Sequence, residues 1–364
     1  MNGSSWLYLP CTLLAILMAS DTVAQHPWYG ETASTLECRL LAEMADGRLQ
    51  QFSLLEAGLI ASGVDCPEQL RRHVDHFTTI TYQAFLSSDS VASDAAILAN
   101  ELLQRLHRLV LIGDYDPLCT EIDRTLETGS FNCVTATVLF RYLAQLHGVA
   151  VMTIGQPDHV FCRIPGYPPI TIETTSPQGW IEGEFDLAGP GHFDSLAAFD
   201  HAVSTKERVL TDVQLVAKIY YNRAVVLLKA NAHAAALPWL LRATGLDPDD
   251  ALARNNLLAC LNNWALEETR SGDFLEAIRL LEQGREILPD YKPLVQNEIY
   301  VYLRWADHLA AQRRVLEALQ VLDEAFERHP GVPLLDQART SITQWEGDDD
   351  PAIQPAQPRH ALHN

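Results

Sequence analysis

Three residues in this chain have the types and the spacing for covalent chemistry: Cys133, His159 and Glu173. Cys133 stands near the start of GSFNCVTATVLFRYLAQLHGVAV (129–151), where Val134, Val138, Tyr142 and Leu146 recur at helical spacing. Asn132 is placed to cap that helix and Gly148 to stop it. A helix start offers unpaired amide N–H groups and the positive end of the helix dipole, and both favour a thiolate over a thiol. Gly129 and Ser130 leave that end open to approach. His159 opens the β-like run HVFCRI, and Glu173 lies in the next, ITIETT, after the turn-rich connector PGYPP. On adjacent strands of a hairpin, a carboxylate can bond and orient an imidazole. A nucleophile, a base and a group that orients the base is the general form of a site for acyl transfer through a thioester.

Each member also has an ordinary explanation. A single cysteine on an apolar helix is most often packing, and a single histidine is most often a satisfied structural residue. The ordered set favours catalysis. Glu173, next to Ile172, reads as a partly buried carboxylate in need of a partner, and His159 is the nearest candidate. Asp158 is the rival, but neighbouring residues on a strand point to opposite faces, which also makes Cys162 a core residue. Asp114, Asp116 and Glu121 form a loose acidic cluster that reads as a solvated loop, with calcium as the alternative.

The elements around these residues are mostly helical. Glu37–Ile60 is apolar at helical spacing, Asp65 and Pro67 mark a helix start, and a further helix spans Ala95–Leu111 before Gly113. After Cys133 the order is helix, strand (VAVMTI, 149–154), then hairpin. The C-terminal third repeats at an offset of 41, aligning Tyr220/Leu261/Tyr302, Ala224/Ala265/Ala306, Ala236/Ala277/Ala318, Leu240/Leu281/Leu322, Ala243/Gly284/Ala325 and Pro248/Pro289/Pro330. Small residues at such spacings let paired helices cross closely, and the proline ends the second helix.

FNCVTATVLFRYLAQLHGV resembles the nucleophile helix of the transglutaminase-like superfamily, a permuted relative of papain-type cysteine proteases. DHVFCRI resembles its histidine strand and ITIETTSP its acid strand. The resemblance covers roughly residues 106–180. It implies that Cys133 is the nucleophile, His159 the general base and acid, and Glu173 the orienting carboxylate. The chain departs from the pattern at Glu173, where the family commonly has Asp, and at Phe161, where Trp often follows the histidine by two. No upstream Trp or Gln offers a side-chain oxyanion donor, so the backbone amide of Cys133 is the one donor expected. The 41-residue units resemble tetratricopeptide repeats with a lengthened first helix, a class that presents concave surfaces to peptides and proteins.

The expected fold class is therefore α+β. Residues 25–200 would form a papain-like, transglutaminase-like domain with a helical N-terminal part. Residues 201–345 would form an all-α tetratricopeptide-like domain, and 346–364 a disordered tail. Residues 1–24 read as a signal peptide: the apolar run Trp6–Ala19 is short for a membrane span, and Thr22 and Ala24 suit a cleavage site before Gln25. The protein is then expected to be exported, periplasmic or secreted. The net charge is −21, and loss of the leader removes only Asp21. So acidic a chain repels nucleic acid and anionic membranes. Of the six cysteines after residue 24, Cys38–Cys66 is the disulfide pair to test. No metal or organic cofactor is needed by this chemistry. The expected activity is hydrolysis of a peptide or protein amide, with cross-linking as its variant. The alternative is an inactive scaffold that binds proteins or peptides through its repeats.

Overall fold

The structure, a computed structural model, describes residues 33–86, 95–181 and 207–347. The signal peptide expected over 1–24 and nearly all of the tail expected from 346 lie outside the described residues. Among those residues the chain is mostly helical with one five-stranded antiparallel sheet, so the α+β class holds. The packing forms two compact units, residues 1–260 and 261–364.

Unit 1 begins with α1 (Thr35–Met44), α2 (Leu54–Ser62), α3 (Pro67–Leu86), α4 (Ala95–Leu109) and α5 (Ile122–Thr128). The run Glu37–Ile60, read as continuous from its apolar spacing, is two helices. Gly47 sits at φ +80°, and Ser53 opens α2 with a reciprocal capping box to Glu56. A left-handed glycine followed by such a box ends one helix and starts another, whatever the apolar spacing across them.

Next comes α6 (Cys133–Leu146), the helix that carries the cysteine. Ten of its fourteen residues are buried, which makes it a central helix rather than a surface one. It packs against α2, α4 and the sheet. The strands are β1 (Met152–Gly155), β2 (Val160–Ile164), β3 (Ile170–Ile172), β4 (Trp180–Ile181) and β5 (Arg208–Leu210), in the order β4-β3-β2-β1-β5. The expected β2–β3 hairpin is present, with Cys162 opposite Ile172 and Ile164 opposite Ile170. β1 and β2 form a second hairpin, and β5 adds to the other edge of β1.

Unit 1 also holds α7 (Asp212–Lys229) and α8 (His233–Leu246). This helical pair packs on the core: α7 lies against α2 and α6. Arg141 of α6 is 3.1 Å from Asp212, Arg223 donates to the Ala61 carbonyl at 2.6 Å, and Arg242 is 3.3 Å from Glu37. α9 (Ala251–Ser271) runs across the division at Cys260/Leu261. The expected boundary near residue 200 falls within 182–206, outside the described residues.

Unit 2 continues with α10 (Phe274–Ile287), α11 (Lys292–Ala311), α12 (Val315–Arg328) and α13 (Pro333–Gly347). The helices α8, α10 and α12 begin at His233, Phe274 and Val315, 41 residues apart, and each is 14 residues long. Their partners α7, α9 and α11 are longer, at 18, 21 and 20 residues. The aligned small residues are buried throughout. A Cβ on Gly284 would come within 2.6 Å of the Leu294 side chain, so α10 and α11 cross closely there. In the same unit Glu298 is fully buried, bonded to Arg285 at 2.5 Å and within 3.4 Å of Arg328 and 3.3 Å of His329. Such a carboxylate is tolerable only with partners of this kind.

Candidate active site

The site is built from the N-terminus of α6 outward. Asn132 is the cap: its side-chain oxygen accepts from the N–H groups of Val134 and Thr135, both at 2.9 Å. In return Asn132 N–H donates to Thr135 Oγ1 at 3.0 Å. This box fixes the first turn and sets Cys133 at the first helical position. There its backbone N–H has no partner within the helix. Four residues on, one turn along the same face, Thr137 Oγ1 bonds Thr174 Oγ1 at 2.7 Å. That buried bond holds the Cys133 face of α6 against the end of β3.

His159 closes the turn between β1 and β2, its carbonyl accepting from Gln156 N–H at 2.8 Å. The hairpin register extended by one residue sets Glu173 opposite Phe161, on the face that His159 shares. His159 Nε2 and Glu173 Oε2 are 2.7 Å apart. Glu173 Oε1 accepts from Thr175 twice, from its N–H at 2.9 Å and its hydroxyl at 2.6 Å. The Cys133 side chain acts on the same imidazole and favours its protonated form. The imidazole also stacks on Phe161, with centroids 5.9 Å apart. The three residues singled out by type and spacing are thus one connected set, and Asp158, exposed in the turn, is not part of it.

Electrostatics follow from these contacts. Burial alone would lower the His159 pKa, but its bonds to Cys133 and Glu173 and their charges outweigh burial and raise it to about 10. Burial pushes the Glu173 carboxyl up, yet the bonds from His159 and Thr175 prevail and hold it below the usual carboxylate range. Cys162, on the opposite face and fully buried, has its thiol pushed up to about 12 by desolvation, as befits a core residue.

Two residues at the site escaped the sequence reading. His107 of α4 is buried, and its Nε2 lies 3.0 Å from the Thr174 carbonyl. A carbonyl only accepts, so Nε2 carries the proton. Burial lowers the His107 pKa, and the ring stays neutral as a support for the Glu173–Thr175 turn. Its place one turn after Leu103 was the available signal. Tyr115 has no comparable local signal. A parallel bridge pairs it with Phe131, supported by Asp116 N–H to the Phe131 carbonyl at 2.8 Å and Gly113 N–H to the Gly129 carbonyl at 3.0 Å. Cβ atoms on Gly113 or Gly129 would meet the facing backbone within 3 Å, so two glycines permit this close approach. The Tyr115 hydroxyl interacts with Cys133 at both its side chain and its backbone.

The acidic cluster does not assemble: among the described residues no group of three or more His, Cys, Asp or Glu could hold a metal ion. All six described cysteines are free thiols, so Cys38 and Cys66 are not joined. A cavity of about 550 Å³ is lined by Arg39, Glu43, Asp46 and Gln50 among others and lies away from Cys133. It is an open surface concavity in which the Glu43 carboxylate already accepts backbone N–H groups from residues 51 and 52. The triad, with its matched donors and acceptors, is the better candidate for chemistry. No helix among the described residues is long and apolar enough to cross a membrane. Comparison with family models, with curated proteins and with solved structures finds no match to this chain.

Proposed function

We propose that this chain is an exported cysteine acyl transferase of the transglutaminase-like kind, acting as a hydrolase on a peptide or protein amide. The observation that carries the reading is the His159 imidazole held at 2.7 Å by Glu173, with Cys133 acting on the same ring. In this mechanism the Cys133 thiolate attacks the amide carbon and forms the S–C bond, while negative charge on the oxygen develops against the Cys133 N–H. The His159 imidazolium gives its proton to the leaving amine as the C–N bond breaks. His159 then takes a proton from water, which attacks the thioester and regenerates the thiolate. Hydrolysis is favoured over cross-linking because water needs no site of its own, whereas an amine acceptor does. The paired helices at 41-residue spacing, which resemble tetratricopeptide repeats, would hold a peptide or protein substrate or partner.

The scaffold reading draws support from a different observation: Cys133 is only 8% exposed. Alkylation by iodoacetamide separates the two readings. At pH 6 an active site alkylates at Cys133 faster than at Cys162 or Cys260, and His159→Ala abolishes the difference. Equal and slow labelling of all three thiols rejects the enzyme and turns attention to what the repeats bind.

A further inference from the structure

The acyl-transfer mechanism requires donors for the oxyanion, and the α6 N-terminus supplies one, the Cys133 N–H. We propose that the Tyr115 hydroxyl is the second oxyanion donor, completing the site with that N–H; the assignment rests on the acyl-transfer reading above. The hydroxyl bridges the two atoms that define where the oxyanion forms. The parallel bridge and the ring contact with Phe131, two residues before Cys133, set Tyr115 beside the start of α6, and its hydroxyl interacts with both the side chain and the backbone of Cys133. The oxyanion is one bond from the carbon that joins Sγ, and lies about 3 Å from the amide donor. A hydroxyl within reach of both Sγ and N is within reach of that point after a small side-chain rotation.

The surroundings permit the rotation. Tyr115 lies outside any helix and is 42% exposed, with the edge of its ring against Phe131 at a centroid separation of 6.0 Å. Phe131 is itself fixed, buried against His107 at 5.5 Å. The phenol thus has a rigid wall on one side and solvent on the other. Burial of the hydroxyl, followed by the charges of Cys133 and Glu173, raises its pKa, so the group keeps its proton across the working range. A donor must keep its proton to serve an oxyanion. In the resting site the hydroxyl interacts with the sulfur. As sulfur forms its bond to carbon it loses negative charge, the oxygen gains it, and the O–H follows. Collapse of the oxyanion re-forms the C=O and expels the leaving group.

The test compares two reagents on the full chain. p-Nitrophenyl acetate acylates a thiolate through an oxyanion: the S–C bond forms, then the C–O bond to p-nitrophenolate breaks. Iodoacetamide alkylates by direct displacement of iodide, with no oxyanion. Tyr115→Phe keeps the ring and its wall on Phe131, and circular dichroism and thermal melting check that it folds. Expected is a Cys133-dependent burst of p-nitrophenolate that the variant slows by about 100-fold, the effect of losing one such donor, while alkylation of Cys133 stays within about threefold. If both rates are unchanged, the Tyr115 assignment falls and the acyl-transfer reading stands. If both rise, the hydroxyl is a cover on the thiol rather than a donor, and the assignment also falls. A wild-type protein with no more burst than Cys133→Ala, and ordinary alkylation, overturns both.

Discussion

At the scale of single residues, the His159–Glu173 pair makes a claim about pH. The folded protein holds His159 protonated up to about pH 10, well above the ordinary histidine value, and holds Glu173 ionised below the ordinary carboxylate value. A raised histidine stabilises the fold fully below its unfolded pKa, near 6.5, and loses that contribution as pH climbs through 10. A lowered carboxylate contributes above its unfolded value, near 4.5, and loses its share as pH falls through the depressed folded value. The two contributions overlap in full between about pH 4.5 and 6.5. Glu173→Gln should therefore destabilise most in that window, by about 1.5–3 kcal/mol for a hydrogen bond to a charged group. The gap from wild type should shrink toward pH 10 and again in acid. Chemical denaturation of both proteins from pH 3 to 11 measures it, and a gap constant with pH would show that the pair is not ionic.

At the scale of elements, the claim concerns the start of α6. Asn132 is buried, and its side chain satisfies two of the helix's free N–H groups. Asn132→Ala should cost about 1–2 kcal/mol in stability. It should also slow Cys133 alkylation at pH 6 by more than Leu143→Ala at the far end of the helix, although that buried truncation costs more stability, about 2–5 kcal/mol. Equal slowing by the two variants would show that the cap serves stability alone. This helix start was legible because its signals are local: a capping residue, apolar spacing, a glycine stop. So was the β2–β3 hairpin, which sets the His159–Glu173 pairing through strand alternation and a five-residue turn. Tyr115 was not legible, since a parallel bridge between two loops places it, and nothing within either loop names the other. The break between α1 and α2 was missed because apolar spacing on one face runs on across a turn. β5 was missed because three residues hold too little pattern to stand out before a helix.

At the scale of the molecule, the 41-residue repetition was legible because the aligned small residues recur with the helices. The placing of the first pair was not. α7 and α8 have the repeat pattern, yet they complete the core of unit 1. Ile219 of α7 lies close to Gly58 of α2, where an added Cβ would sit 3.5 Å from it, Asp212 pairs with Arg141, and Arg223 caps the Ala61 carbonyl. α9 is tied in by Asn256 to the Tyr221 hydroxyl at 2.8 Å. Every residue placed at the site, from His107 to Thr175, also lies in unit 1. Where the chain is cut therefore decides what survives. A chain of residues 25–271 keeps α7, α8 and the whole of α9, and should fold cooperatively with Cys133 alkylating at the full-length rate. A chain of residues 25–211 ends just past the boundary expected near residue 200 and just before α7. It uncovers the faces of α2 and α6 that α7 buries and leaves Arg141 without Asp212. Losing several buried side chains at about 1.5–3 kcal/mol each exceeds the whole stability of an ordinary domain. That shorter chain should melt without a cooperative transition and lose the selective labelling of Cys133. Thermal melts and alkylation of the two fragments decide it. A well-folded, reactive 25–211 would make the first helical pair an attachment to the catalytic unit rather than a part of it.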